Sequence, residues 1–192
     1  MMAYRDLARV KKRARLERRS LVWVDEAGFY VWPTKVRSDA PRGQRPPRRV
    51  YQTRAHLSLM SALSTRGYLF TLDRAEALTA VERVRFLKPL RHHLERKRLV
   101  MWDGSPIHRA DELKAYLANG AAKQIHLERL PGYVPELNPA EGVWHQLKGV
   151  ERRNVCCVDL PHWHHPLYLA VLRLRRKSHL IQSFLAGTRL TL

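Results

Sequence analysis

The chain has 192 residues, 45% of them apolar, enough to bury the core of one domain and too many for a disordered chain. No apolar run approaches the ~20 residues of a membrane span, and the opening MMAYRDLARVKKRARLERRS lacks the apolar stretch of a secretory signal. Thirty-six Lys and Arg stand against seventeen Asp and Glu, a formal net charge of +19 that repels itself unless a polyanion neutralises it, so nucleic acid is the expected partner.

In chain order, residues 3–19 carry Leu7, Val10, Ala14 and Leu16 at near-helical spacing among arginines, as in a short basic helix or the tail of a linker. LVWVDEAGFYVW (21–32) is apolar and β-branched around Asp25, which predicts a buried strand that turns at Gly28 into a hairpin partner. RSDAPRGQRPPRR (37–49) holds three prolines, one glycine and five arginines and reads as a loop. Strands are expected over 51–63 and 67–72, then a helix over 79–97 that Pro89 is placed to kink. RLVMWDGSPIH (98–108) reads as a short strand running into Asp103 and a Gly-Ser-Pro turn. A helix over 108–119 closed by Gly120, a strand over 124–131, a helix over 139–148 and a helix over 166–177 follow. Three antiparallel strands followed by alternating helices and strands, flanked by helices, make a mixed α/β sheet. The expected organisation is a basic linker or helix remnant over 1–20, a mixed α/β domain over 21–150, and a helical extension of that domain over 151–192.

Three carboxylates stand out. Asp25 lies inside an apolar strand, where an ionised acid is costly without a partner such as a metal. Asp103 lies at the C-terminal end of another strand, a usual place for functional groups in α/β sheets. Glu141 falls in the first turn of a helix entered through Pro139, the last of three prolines in PGYVPELNPAEGVWHQLKG (131–149). Each has a plain structural reading as a turn acid or a helix N-terminal charge. Together they could converge, and three hard oxygen ligands favour Mg²⁺ or Mn²⁺ over Zn²⁺.

WVDEAGF (23–29), APRGQRP (40–46), VMWDGSPIH (100–108) and LPGYVPELNPAEGVWHQLK (130–148) resemble the DDE-superfamily transposases, in particular the bacterial insertion-sequence branch of the mariner superfamily. The resemblance runs over most of 21–150 and implies a ribonuclease H-like fold. It also implies a catalytic, metal-binding triad of Asp25, Asp103 and Glu141, with 37 residues between the last two. Most relatives have a slightly shorter gap, and Gly104 stands where they usually carry asparagine. The implied chemistry is DNA strand cleavage and strand transfer with two Mg²⁺ ions, Mn²⁺ substituting, Asp25 bridging both ions. His108 and Asn138 fall on motif positions as supporting residues. Relatives carry N-terminal helix-turn-helix modules that read the element's ends, and residues 1–20 do not read as one. The expectation is therefore a catalytic domain alone: a second reading frame whose helix-turn-helix segment is encoded separately, a truncated copy, or a fragment. The resemblance also implies action as a homodimer on double-stranded DNA.

Twenty-seven of the cations are arginines, whose planar fork suits phosphate oxygens. Arg37, Arg42, Arg45, Arg48 and Arg49 in the loop, with Arg152 and Arg153 after the Glu141 helix, are the candidate DNA contacts. The adjacent pair Cys156-Cys157 fits a reducing cytoplasm, and the resemblance implies a bacterial protein associated with the nucleoid. CCVDLPHWHH (156–165) lacks the Cys-x₂-Cys spacing of zinc sites, so zinc is not expected there. Trp102 and Trp144 flank the acids and are expected to serve core packing. Two other readings stay open: an inactive transposase remnant that only binds DNA non-specifically, and a host nuclease acting on RNA–DNA hybrids.

Overall fold

The computed structural model describes residues 2–31, 55–94, 97–102, 110–130, 137–151, 157 and 159–188. Strands β1 (Ser20–Tyr30), β2 (His56–Ser64), β3 (Leu69–Arg74), β4 (Arg98–Trp102) and β5 (Ile125–Arg129) form one sheet in the order β3-β2-β1-β4-β5. The β1–β2 and β2–β3 pairings are antiparallel, whereas β4 pairs parallel to β1 and β5 parallel to β4. This is the expected mixed sheet: consecutive hairpin strands first, then parallel strands that need helical crossovers.

Helices cover both faces, and the period-2 alternation of the strands decides which residues each face buries. On one face Leu21, Trp23, Phe29, Leu59, Leu63, Leu99 and Met101 form a continuous core. Helix α1 (Met2–Leu16) joins it through Val10 and Ala14, and α4 (Ala140–His145) through Val143 and Trp144. Helix α5 (Leu160–Arg176) adds Trp163 and Leu167, and α6 (Ser178–Gly187) adds Ile181 and Leu185. On the opposite face Val22, Val24, Met60, Ala62, Val100 and Trp102 pack against Phe86, Leu87 and Leu90 of α2 (Ala80–His93) and Leu113 of α3 (Asp111–Ala118). No helix among the described residues is long and apolar enough to cross a membrane.

Several expectations are corrected. β1 does not turn at Gly28; it runs on to Tyr30, with Gly28 opposite Ser58 in the ladder. The nearest atom to a Cβ at Gly28 would be Tyr30 at 3.8 Å, so neither crowding nor backbone conformation demands glycine there. Pro89 sits within α2 without ending it. That helix starts at the Thr79 cap, whose hydroxyl accepts the Glu82 N–H, and stops at His93, before the expected 97. Gly120, at φ +87°, follows α3 in the left-handed conformation expected of a helix-ending glycine. α5 begins six residues before the expected 166, because Asp159 accepts the His162 N–H at 2.8 Å and caps it. α6 falls inside the expected helical extension over 151–192, although the sequence reading places no separate helix at 178–187.

α1 is pinned to the sheet edge by ions as well as by Val10 and Ala14. Arg13 Nη1 lies 3.3 Å from Glu128 and 2.9 Å from His126, both on β5. In the 156–165 segment Cys157 is buried in the first core, and His164 Nε2 lies 2.7 Å from Asp73.

Candidate active site

Asp25 is half-buried near the middle of β1, on the face that carries α4. β1 is the central strand, flanked by β2 and β4, so the backbone holding Asp25 is constrained from both sides. Trp102, the last residue of β4, pairs with Val24, and the chain passes from Trp102 directly into Asp103. Asp103 and His108 lie outside the described residues, as do Arg37, Arg42, Arg45, Arg48, Arg49, Arg152 and Arg153.

Asn138 and Glu141 come to Asp25 from the helix side. The Asn138 side chain does two jobs at once: Oδ1 accepts the Ala140 N–H at 3.1 Å, and Nδ2 donates to Asp25 Oδ2 at 2.9 Å. The first bond satisfies an N–H that the start of a helix leaves without a partner. The second ties that helix start to β1. Glu141 follows in the first turn of α4, exposed, with its N–H on the Asn138 carbonyl at 3.1 Å.

Trp144 departs from the expectation of packing alone. Its ring is buried, edge-on to Phe29 with centroids 5.8 Å apart, yet its Nε1–H donates to the same Asp25 Oδ2 at 2.8 Å. A signal was available: a tryptophan packed in a core keeps one N–H that needs an acceptor, and Trp144 lies one turn past Glu141. Trp102, by contrast, lies in the opposite core.

Burial is the main influence on Asp25 and pushes its carboxyl above the ordinary range. The Trp144, Glu26 backbone and Asn138 donors pull the other way, and the Glu141 charge adds to the upward push. All three donors are neutral. In a chain of net charge +19, two acids near enough to repel one another are left here without a cationic side chain among these contacts.

The pair of acids fits a hard divalent cation, which takes oxygen ligands and relieves the repulsion. Ser61, the cross-strand neighbour of Asp25, is fully buried, and its hydroxyl has no partner among the described residues. An unused polar group beside the acid suits a hydrated ion. Asp25 and Glu141 are two candidate ligands, and no group of three His, Cys, Asp or Glu forms among the described residues.

The other face of β1 holds an ion pair the sequence analysis did not anticipate. Glu26 points away from Asp25, and Arg83 of α2 grips it with two bonds, Nε to Oε1 at 2.6 Å and Nη2 to Oε2 at 2.5 Å. The Arg83 side chain is 5% exposed and also donates from Nη1 to the Leu78 carbonyl at 2.7 Å.

Behind Glu141, Gly142 lets α6 approach α4 closely: a Cβ there would lie 2.6 Å from the Phe184 ring. Gly142→Ala should therefore destabilise the protein. Overpacking costs about 1–3 kcal/mol, against about 0.5–1 kcal/mol returned by helix propensity. Phe184→Leu should restore part of the loss, and chemical denaturation of the single and double variants checks this.

The model of the DDE superfamily endonuclease family matches residues 20–156, and the chain belongs to that family. Among solved structures, the Mos1 mariner paired end complex with Mn is 19% identical over 97% of this chain and 56% of that one, with a TM-score of 0.66. The Mos1 strand transfer complex is 18% identical over 97% and 56%, with a TM-score of 0.65. The Mos1 transposase catalytic domain with raltegravir and Mg is 16% identical over 96% and 84%, with a TM-score of 0.58. The fold is thus the ribonuclease H-like fold of these catalytic domains. The chain spans little more than half the length of the first two. No curated protein sequence matches it.

Proposed function

We propose that this chain is the catalytic domain of a transposase, cleaving DNA strands at element ends and joining them to target DNA with Mg²⁺, or Mn²⁺ in its place. The observation that carries this reading is the meeting of Asp25 and Glu141 through Asn138, inside the segment that matches the DDE endonuclease family. Asp25, Asp103 and Glu141 are the proposed ligands of the cation, with Asn138 holding Asp25 and α4 in register. His108 is proposed to support Asp103.

The chemistry a bound cation pair supplies is activation of the attacking oxygen and stabilisation of the leaving one. The reaction is in-line displacement at phosphorus: a new P–O bond forms from water as the bridging P–O bond breaks, leaving one hydroxyl end and one phosphate end. In strand transfer a DNA 3′-hydroxyl replaces the water. Of the chain's own residues, Asn138 and Trp144 hold the Asp25 carboxylate in place by donating to its Oδ2. The test is Mn²⁺-dependent cleavage of a duplex carrying the element's end. Activity that persists in Asp103→Asn sinks the assignment.

The structures similar in fold include paired end and strand transfer complexes of Mos1, and by analogy element-end and target DNA are the proposed partners here, bound by a homodimer. Phosphate binding through Arg37, Arg42, Arg45, Arg48, Arg49, Arg152 and Arg153 gives affinity without sequence information. The isolated chain should bind duplexes with and without the terminal repeat alike. Replacing any one of these arginines by alanine should flatten the salt dependence by about 0.9 in log–log slope for each phosphate it neutralises. Discrimination beyond roughly a hundredfold, about 2.7 kcal/mol, in a salt titration shows base reading by this chain and removes the need for a separate helix-turn-helix segment.

A further inference from the structure

We propose that Trp144 is a positioning residue for the reaction: its indole N–H holds Asp25 through Oδ2 and so fixes the orientation in which the carboxylate would take the divalent cation. The inference rests on the reading of Asp25 as a cation ligand and adds what holds it in place.

Both side-chain donors, Asn138 Nδ2 at 2.9 Å and Trp144 Nε1 at 2.8 Å, fall on the same oxygen. A carboxylate on a short side chain has two torsions, and two donors converging on one oxygen from different chain positions fix both. The donors differ in how firmly they are held. Asn138 sits at the mouth of α4, anchored by its own cap bond to Ala140. Trp144 is locked by its surroundings, the residue 4% exposed and its ring edge-on to Phe29, which itself packs against Trp163. An indole seated in the core cannot follow the carboxylate if it swings; the carboxylate must come to it.

The donors' neutrality matters too. An Arg or Lys on Oδ2 would cancel the charge a divalent cation needs, whereas an indole N–H orients the acid and leaves its charge available. The same helix brings Glu141 and Trp144 to the site, so docking α4 places a second carboxylate and fixes the first in one event.

The test is Mn²⁺ binding to the whole chain without DNA, followed by electron paramagnetic resonance, in wild type, Asp25→Asn, Trp144→Phe and Trp163→Phe. Phenylalanine keeps an aromatic ring against Phe29 and removes only the N–H and the outer ring. Trp163→Phe makes a like change in the same core without touching Asp25. A hydrogen bond to a charged group is worth about 1.5–3 kcal/mol, so Trp144→Phe should weaken Mn²⁺ binding on the order of tenfold or more. Trp163→Phe should stay within about twofold of wild type. Equal affinities for Trp144→Phe and wild type, or equal losses in both tryptophan variants, overturn the proposal. Mn²⁺ binding unchanged in Asp25→Asn overturns the site reading itself, a separable failure. Should Trp144→Phe not fold, ¹⁵N-labelled tryptophan in the wild type and Asp25→Asn decides the matter. One of the five indole N–H resonances should move on loss of the Asp25 charge, and that same resonance should broaden most with Mn²⁺ in the wild type. No such resonance overturns the proposal.

Discussion

Asp25→Asn is expected to reduce Mn²⁺-dependent strand cleavage beyond roughly a thousandfold, about 4 kcal/mol of transition-state stabilisation, while leaving DNA binding intact or tighter. The substitution keeps the shape of the side chain and removes the charge proposed to attract the cation. It also removes negative charge from the surface proposed to receive phosphate. The same variant carries a stability signature in the metal-free protein. Burial raises the Asp25 carboxyl above its unfolded value, so the folded state holds the proton more tightly than the unfolded chain does. Wild-type stability should therefore fall as pH rises from the ordinary carboxylate range through the raised folded value, and level off above it. In Asp25→Asn that fall should be missing. Cleavage within tenfold of wild type, or an unchanged pH profile of stability, contradicts the role given to Asp25.

Glu26→Ala is expected to be among the most destabilising single substitutions in the protein, at about 3–5 kcal/mol. The loss comes from what stays behind: Arg83, 5% exposed, keeps its bond to the Leu78 carbonyl but loses both bonds to carboxylate oxygens. A buried guanidinium without a counter-charge has few ways to regain solvent from the apolar side of α2. Replacing both residues, as in Glu26→Leu with Arg83→Met, should recover most of the loss, because an apolar pair of similar volume removes the desolvation penalty along with the attraction. Urea denaturation of the three variants measures this. A Glu26→Ala loss under about 1 kcal/mol shows that the pair is solvated in solution. The pair matters to the site because Glu26 follows Asp25 in β1, and Arg83 fastens that stretch of strand from the opposite face.

Several features are legible in the residues alone. Apolar stretches around Asp25 and ahead of Asp103 specify strands, since a run of β-branched and large apolar side chains is stable only when buried in a sheet. The order of those stretches and the breaks between them predict the mixed sheet, and the Asn-Pro-x-Glu stretch marks the start of α4. Element ends are less legible. α5 starts after Asp159 rather than near 166, because a cap and an early proline outweigh the later apolar periodicity. α6 leaves little trace in the sequence because its apolar residues, Ile181 and Leu185, find their partners only in the assembled core.

The expected partner class, the mixed sheet and the candidate acids all follow from net charge, apolar periodicity and motif spacing, which are properties of a chain read in one dimension. Who touches whom is a matter for three dimensions. Asn138 and Trp144 meet Asp25 across 113 and 119 residues, and Arg83 meets Glu26 across 57. Which oxygen each donor reaches depends on the rotation of α4 over β1 and of α2 under it. Those rotations are set by the packing of Val143, Phe29 and Phe86 in two separate cores, and no local pattern encodes a distance between residues that only packing brings together.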